Sequence, residues 1–466
     1  MSYSHSHRKI LNKFLTRLKR VLSRAWVRNI FQKIAHEPAR VVLFGYASYV
    51  LLTWVLLCLP ISWQDGFVSP LDNLFIATSA ISTTGLITVN TPDAYSFFGE
   101  LVVACAFQAG GLGYMTLGSF VILARQNSLS SMRQQVGETV FSLPERFNLR
   151  TFIRHTIIFT VLIEVVGFIC LYIAFSAAAG VSNPAWAAVF HSISAFCTAG
   201  FSVFPNSLID FRSNFFVNFV VTVLSIFGAI GFIVVSDVWL RITRRSHRIT
   251  LTTKIILCAT FSFILFGWVF LFFADPSIAQ LPLGERFLAS GFQSMTAMTT
   301  VGFNTHPIEN LATSPISVML VLMVIGASPS GTGGGLKTTS IFAALATVWA
   351  SLRNQRDVTF WGRRIPMDSL LAAFSALMFY LVMFLVGCTL LLLLQGQAFE
   401  DVVFEVASAL GTVGLSRGIT GDLVPLGKVV VIVLMFIGRV GPITVGLSIF
   451  SQPRRNLRLV EEDIAI

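Results

Sequence analysis

One short pattern occurs four times along the chain and constrains its fold more than any other feature. Its core is Thr-x-Gly followed by Phe or Leu, as in TTVGFN at residues 299–304, and the glycines are Gly85, Gly200, Gly302 and Gly414. They lie roughly 110 residues apart, and self-similarity at a near-constant period indicates repeated structural units. The chain is therefore expected to fold as four related units.

Further positions repeat together with the glycine. Counting back from it, a Phe stands ten residues before, a Ser or Thr six, an Ala five and a Thr two. These columns are Phe75, Phe190, Phe292 and Phe404; Ser79, Ser194, Thr296 and Ser408; Ala80, Ala195, Ala297 and Ala409; and Thr83, Thr198, Thr300 and Thr412. Five matched columns in four windows support a fourfold internal repeat.

The composition places these units in a membrane. Of 466 residues 55% are hydrophobic and 12% charged, with a mean hydropathy of +0.77, which is far too apolar for a soluble protein. Apolar runs of about 20 residues, enough to cross a bilayer, recur between residues 41 and 450. The six cysteines lie in or beside these runs and show no disulfide or metal-ligand spacing.

The net charge of +11 is segregated along the chain. Basic residues concentrate near both termini and in every second loop, which predicts that these segments and both termini are cytoplasmic, without any nucleic acid partner. The alternate loops carry the acids, so we expect an acidic outer vestibule that attracts cations.

Each unit reads as an apolar span, an outer loop, an amphipathic helix of 10 to 13 residues, the Thr-x-Gly core and a returning span. A helix that short must dip into the bilayer and return, which requires a protein or water environment. We predict an all-α integral membrane protein with eight transmembrane helices and four pore helices around a central pore. The segments are a basic amphipathic helix at 1–40, repeats at 41–126, 151–242, 253–352 and 366–452, and a tail at 453–466.

Four such loops around one axis can turn backbone carbonyls inward and replace the hydration shell of a cation. Glycine provides the positive φ that such a loop needs, and the preceding threonine adds a hydroxyl or braces the loop. The predicted cation-binding filter consists of Thr83, Thr84, Gly85, Thr198, Ala199, Gly200, Thr300, Val301, Gly302, Thr412, Val413 and Gly414. The alternative is small-residue packing between ordinary membrane helices, which explains one motif but not four in register.

A second shared glycine follows each loop, namely Gly110, Gly228, Gly326 and Gly438, where we expect the returning span to bend. In the third unit it opens an insertion at 327–338, ASPSGTGGGLKT, which is predicted to be an irregular gate loop below the filter. The proposed gate set is Gly326, Ser328, Pro329, Gly331, Gly333, Gly334, Gly335, Lys337 and Arg439. The insertion lacks the Gly-Lys-Ser/Thr ending of a phosphate-binding loop, so no nucleotide site is expected on this chain.

Lys337 and Arg439 are charges inside the membrane and are therefore functional candidates. Arg439 is expected to act as an electrostatic barrier or to hold the gate loop; the alternative is a structural pair with a carboxylate or carbonyls. Glu164, Asp237 and Glu405 are isolated in sequence, and no set of side chains indicates an enzyme. Residues 8–34 form an amphipathic pattern that favours lipid over a protein partner.

The four loops, the insertion GASPSGTGGGLKTT and the motif GRVGP resemble the Trk/Ktr/HKT superfamily of potassium transporters over residues 40–452. Because the first loop follows the first span directly, the chain is most similar to KtrB-type membrane subunits. This resemblance implies a fourfold pseudosymmetric pore, a homodimer and a cytoplasmic nucleotide-binding regulatory ring of the KtrA type that moves the gate loop. It also implies that Arg439 is the barrier beneath the filter. Sodium-preferring relatives have a serine in the first loop, so Gly85 favours potassium.

We therefore expect potassium uptake across the cell membrane that depends on activation by sodium. Two alternatives stay open. A proton- or sodium-coupled secondary transporter would depend on Glu164 or Asp237, and a non-conducting scaffold would tolerate replacement of the loop glycines.

Overall fold

The computed structural model describes residues 38–113, 149–243, 249–329, 331–355, 357–441, 444–446 and 448. The predicted N-terminal amphipathic helix up to residue 37, the end of the first repeat and the tail at 453–466 lie outside the described residues. What is described is helical apart from a two-strand hairpin, as the all-α prediction requires.

In chain order the elements are α1 (Pro38–Leu57), α2 (Pro70–Ile81), α3 (Thr91–Ala94), α4 (Phe97–Leu112), α5 (Leu149–Ser176), α6 (Pro184–Phe196), α7 (Phe215–Ala229), α8 (Phe232–Ile242), α9 (Leu251–Ala274), α10 (Pro276–Ala279), α11 (Leu283–Thr299), α12 (Thr313–Ile325), α13 (Thr338–Leu352), β1 (Thr359–Phe360), β2 (Arg363–Arg364), α14 (Met367–Leu394), α15 (Phe399–Gly411) and α16 (Pro425–Val440). Single 3₁₀ turns occur at Pro60–Ser62, Ile209–Phe211 and Ile308–Asn310.

A short helix precedes each Thr-x-Gly core, as predicted. These short helices are α2, α6, α11 and α15, with 12, 13, 17 and 13 residues. The third exceeds the predicted length. Two of them begin with a side-chain cap followed by proline: Ser69 accepts from the Asp72 amide and Asn183 from the Trp186 amide. This pattern satisfies free amides at the first turn, where the missing proline N–H does no harm.

The first helix of three units is long and apolar enough to cross a bilayer: 154–176 in α5, and all of α9 and α14. Their outward faces carry apolar side chains, such as Leu162 at 60% and Leu393 at 78% exposure, which suits contact with lipid rather than water. The returning helices are shorter because they are interrupted, and α7 and α8 meet at a 97° bend. The predicted number of eight spans therefore stays a prediction.

The second shared glycine has a different role from the one predicted. In three units it lies inside a helix that continues past it, and it packs against the last carbonyls of the short helix. A Cβ at Gly110, Gly228 or Gly438 would come closer than 3.0 Å to the carbonyl oxygen of Ile81, Phe196 or Leu410 respectively. These positions need glycine for close approach, not for bending.

Each of these three helices has ended three residues later, at a glycine that the sequence reasoning did not single out. Gly113, Gly231 and Gly441 follow the ends of α4, α7 and α16 and have φ of 75°, 89° and 93°. Only in the third unit does the predicted glycine itself end the helix, since Gly326 has φ of 66°. A left-handed glycine ends a helix without a steric penalty.

The repeated phenylalanines form the interior of each unit. Phe75, Phe190 and Phe404 are completely buried and Phe292 is 3% exposed. Because each stands on a short helix ten residues before the loop glycine, burial of this ring fixes which face of the helix points inward.

We predict that Gly228→Ala destabilises the fold, because the added methyl group would overlap the Phe196 carbonyl oxygen. Overpacking of this kind costs about 1–3 kcal/mol. The midpoint of thermal unfolding, followed by tryptophan fluorescence in detergent, should fall by several degrees. Gly284→Ala is the matched control, because a Cβ there meets nothing within 4 Å. Equal unfolding midpoints for the two variants would contradict the close-packing role.

Candidate functional site

The four loop glycines meet in one closed ring. A Cβ on Gly85 would approach the carbonyl oxygen of Ala199 and the Cα of Gly200, and the same contact passes from Gly200 to Gly302, from Gly302 to Gly414 and from Gly414 back to Gly85. The carbonyl oxygen in each contact belongs to the residue before the next glycine. Those residues are Thr84, Ala199, Val301 and Val413. We call this arrangement the four-glycine ring.

The ring glycines have the predicted positive φ. Gly85, Gly200, Gly302 and Gly414 have φ of 90°, 68°, 85° and 92°. This conformation is open to glycine and strained for residues with a Cβ. The structure thus confirms the conformational reason for glycine at these four positions.

The threonines two residues earlier are also left-handed, which the sequence reasoning did not foresee. Thr83, Thr198, Thr300 and Thr412 have φ of 53°, 51°, 58° and 50°. A β-branched residue in this region stores about 1–3 kcal/mol of strain, which surrounding contacts must offset. Four identical strained turns therefore indicate that the packing around the ring determines the loop conformation.

One of those contacts comes from the short helices. Ser79 Oγ accepts the Gly85 amide at 3.1 Å, and Ser408 Oγ accepts the Gly414 amide at 3.1 Å. Ser194 belongs to the same repeated column, and its hydroxyl donates to the Phe201 carbonyl at 2.8 Å. The serine six residues before the ring glycine thus ties each of these three loops to the helix that leads into it.

The insertion at 327–338 lies directly against the four threonines. Thr83 Oγ1 donates to the Thr332 carbonyl at 3.1 Å, and Thr198 Oγ1 donates to Thr332 Oγ1 at 3.1 Å. On the opposite side, Gly333 and Gly334 come so near Thr300 Oγ1 and Thr412 Oγ1 that a Cβ would overlap them. The loop therefore covers the inner side of the ring.

The end of α7 holds this loop in place. The Ser328 amide donates to the Ala229 carbonyl and the Thr332 amide to the Gly228 carbonyl, both at 3.1 Å. Because α7 ends at Ala229, these carbonyls have no helical partner. The bend after α7 thus creates the acceptors that the insertion uses.

Arg439 joins three parts of the structure. Its guanidinium donates to the Thr332 carbonyl of the insertion and the Gly110 carbonyl of α4, and to Thr83 Oγ1 at 3.0 Å. Lys337 donates to the Gly333 and Gly334 carbonyls at 2.9 and 3.5 Å. Of the roles considered for Arg439, the geometry shows a side chain that holds the insertion through carbonyls. Its role as an electrostatic barrier stays a prediction.

A cavity of about 610 Å³ opens on the other side of the ring, between the outer loops. All four ring glycines line it, together with the residues two positions after them, which are Ile87, Ser202, Asn304 and Ser416. The ring thus separates an open outer cavity from a covered inner side.

The outer cavity is less acidic than predicted. Glu309 lines it, but several other outer acids are neutralised by the basic residues of the same loops. The pairs are Asp72 with Lys428 at 2.6 Å, Glu285 with Arg212 at 3.0 Å and Asp401 with Arg417 at 2.5 Å. Burial raises the pKa of Asp72, but hydrogen bonds from Lys428 and Ser69 bring it below the ordinary aspartate value. The first two salt bridges join different units, whereas Asp401 and Arg417 both belong to the fourth unit.

Two isolated carboxylates have different environments. Asp237 accepts from the Thr250 amide at 2.8 Å and from Thr250 Oγ1 at 3.0 Å, so it fixes the start of α9. Glu164 accepts from Gln108 Nε2 at 3.0 Å through one oxygen. Its other oxygen, Oε1, is buried without a hydrogen-bond partner among the described residues. Asp237 therefore reads as structural, whereas Glu164 has unused hydrogen-bonding capacity.

Comparison with known proteins agrees with this geometry. The family described as TrkH, cation transport protein, matches residues 56–456. A Ktr system potassium uptake protein B from Vibrio alginolyticus is 33% identical, with 92% of this chain and 94% of the relative covered. The protein of the same name from Bacillus subtilis is 31% identical, covering 93% and 98%. A potassium/sodium uptake protein, NtpJ, from Enterococcus hirae is 31% identical, covering 92% and 97%.

A solved structure has a similar fold. The potassium transporter TrkH from Vibrio parahaemolyticus superposes with a TM-score of 0.68 over 86% of this chain and 84% of its own. The sequence identity is 19%, so this likeness concerns the fold alone.

We predict that Arg439→Gln loosens the insertion. Hydrogen bonds to charged groups contribute about 1.5–3 kcal/mol each, so the Ser328 and Thr332 amides should exchange hydrogen at least about tenfold faster. Hydrogen–deuterium exchange of the purified protein measures this. Arg353→Gln removes the same charge from the end of α13, where the side chain stacks on Trp349, and should leave these amides unchanged. Equal exchange in Arg439→Gln and wild type would show that Arg439 does not hold the loop.

Proposed function

Because the chain belongs to the TrkH family of cation transport proteins, we propose that it is the membrane subunit of a Ktr-type potassium uptake system. Membership of a transport family confirms that the chain is not an enzyme and confirms the resemblance to the Trk/Ktr superfamily. A transporter with these apolar helices is a multi-pass membrane protein. We place it in the cell membrane with eight spans, four pore helices and cytoplasmic termini.

The observation that carries the proposal is the closed four-glycine ring. Four carbonyls from equivalent positions each lie against a glycine of this ring, just after the ends of four short helices. Carbonyl oxygens replace the hydration shell of potassium, and the negative helix ends favour a cation. In this proposal the predicted filter residues form a single-layer potassium site.

The insertion serves as the gate. It covers the ring through Thr332, Gly333 and Gly334, and Arg439 ties it to α4 and α16. For an ion to pass, these contacts have to separate, since the threonines leave no space for the loop beside them. The gate set is the one inferred from the sequence, with Thr332 added as its central residue.

The proposed partners follow from the names of relatives and from the resemblance stated above. Two relatives carry the name of a Ktr system, which favours a separate regulatory subunit, the predicted nucleotide-binding ring of the KtrA type. A homodimer and surrounding membrane lipid complete the assembly. We also propose that uptake depends on sodium, as the resemblance implies; one relative is named for sodium as well as potassium.

Glu164 supports one alternative mechanism. A buried carboxylate oxygen without a partner is a feature of proton or sodium coupling in membrane proteins. In a coupled transporter, flux requires a proton or sodium gradient and the carboxylate.

The filter is tested by cation flux into liposomes that contain the purified protein. Wild type should pass potassium in preference to sodium. Gly302→Ser should reduce that preference at least about tenfold, because a Cβ at φ 85° meets the Val413 carbonyl. Gly421→Ser adds the same hydroxyl to a glycine that lines the outer cavity and has open space around it, and should behave as wild type. Undiminished selectivity in Gly302→Ser would refute the carbonyl filter.

The coupled alternative is tested in the same liposomes. A potassium gradient alone, with ionophores that abolish proton and sodium gradients, should sustain flux. Glu164→Gln should retain most of it, because Gln keeps the side-chain shape. Loss of flux on either treatment would favour the coupled transporter, and Asp237→Asn serves as the matched carboxylate control.

A further inference from the structure

One position of the short helices differs chemically in every unit. It stands nine residues before the ring glycine and is occupied by Ile76, His191, Gln293 and Glu405, all 0% exposed. The fold thus buries an apolar, an aromatic basic, an amide and an acidic side chain in equivalent places. The four positions are geometrically equivalent, but their side chains differ in polarity and charge.

In units two and four this side chain braces a serine of the outer cavity. His191 Nε2 lies 2.9 Å from Ser202 Oγ, and Ser416 Oγ donates to Glu405 Oε2 at 2.7 Å. Each serine also accepts the backbone amide two residues later, at 2.9 and 3.1 Å. The serine therefore makes the same backbone contact in both units, and the units differ only in the buried side chain that binds its hydroxyl, His191 or Glu405.

The histidine side of this comparison is satisfied without charge. His191 Nδ1 lies 2.8 Å from the Ala187 carbonyl, which can only accept, so Nδ1 donates. In the neutral ring Nε2 then accepts the Ser202 proton. The ring stacks on Phe204 at 4.6 Å. His191 is therefore a packed, hydrogen-bonded side chain.

Unit four adds a second hydroxyl. Thr420 Oγ1 lies 2.5 Å from Glu405 Oε1 and 2.9 Å from Ser416 Oγ. Ser416 and Thr420 both line the outer cavity, whereas Glu405 is fully buried behind them. Both hydroxyls donate to the carboxylate, and Ser416 Oγ also accepts the Gly418 amide. Thr420 Oγ1 therefore keeps both of its lone pairs for a ligand and Ser416 Oγ at most one.

Neighbouring charges leave this carboxylate uncompensated. Arg417 adjoins Ser416 but pairs with Asp401 at 2.5 Å. Among the ion pairs of the described residues, none involves Glu405. Each carboxylate oxygen accepts one hydroxyl proton, and these two hydrogen bonds offset part of the cost of burying a charge there. In its ionised form Glu405 makes the wall of the cavity beside Gly414 more negative than the equivalent wall beside Gly200.

We propose that Ser416 and Thr420, polarised by Glu405, form a subsite for a single monovalent cation in the outer cavity beside Gly414. Hydroxyl oxygens backed by one carboxylate offer hard oxygen ligands and a single negative charge. The subsite holds the ion before it enters the ring, and units one to three lack it. This inference rests on the proposed cation transport, but the binding measurement below does not require conduction.

The test is equilibrium binding of radioactive rubidium ion, a potassium analogue, to the purified full chain in detergent. Glu405→Gln should weaken binding about tenfold, because a nearby charge is lost. Gln293 occupies the equivalent position of unit three, so an amide fits there. Ser416→Ala and Thr420→Val should each weaken binding about threefold, since one ligand oxygen is lost. In liposomes, the same variants should raise the KM for potassium and retain the maximal flux.

Two control variants show whether any loss of binding is specific to the proposed subsite. Ser202→Ala removes the equivalent hydroxyl, which has neutral His191 behind it. Glu309→Gln removes an exposed charge from the same cavity. Both should bind rubidium as wild type does.

Unchanged binding in Glu405→Gln overturns the subsite, and so does equal weakening in either control, which would indicate a general effect of cavity polarity. If Glu405→Gln does not elute as a monodisperse species, Ser416→Ala and Thr420→Val decide in the same way. A different result would refute the proposed function. In that case Gly302→Ser leaves flux and selectivity intact, and this outcome does not depend on the rubidium-binding result.

Discussion

The turn at the end of each short helix is the constraint on which the rest of the structure depends. A threonine in the left-handed conformation reverses the chain there, and a glycine two residues later forms the ring. Neither residue can hold this conformation alone, because a short buried segment leaves polar backbone groups exposed to an apolar environment. The packing against the returning helices makes the turn stable.

Glycines on those returning helices serve this purpose. Gly110, Gly228 and Gly438 let a helix backbone lie directly on the last carbonyls of a short helix. Side chains at these positions would push the returning helix away and open the ring. Three residues further, left-handed glycines end the same helices. In each of these units one glycine therefore lets the returning helix lie close to the ring, and a second glycine ends that helix.

The third unit uses these elements differently. Its helix ends at Gly326, and the insertion crosses beneath the ring to reach the carbonyls left free at the end of α7. Arg439 of the fourth unit and Thr83 of the first meet on the same carbonyl of Thr332. One loop from one unit thus contacts the others, so its position depends on the whole assembly. The buried column of Ile76, His191, Gln293 and Glu405 is a second departure from fourfold symmetry, on the opposite side of the ring.

Periodicity and residue type were sufficient for the class of fold, the short helices, the positive φ of Gly85, Gly200, Gly302 and Gly414, and the place of the insertion. These features depend on local conformation and on lipid as a solvent, which a sequence records directly. The positions where the returning helices end, the left-handed threonines, the partners of Arg439 and the pairing of Glu405 with Ser416 and Thr420 were not accessible in this way. They depend on which backbone atoms of distant segments come within 3 Å of each other, and only the tertiary structure decides that.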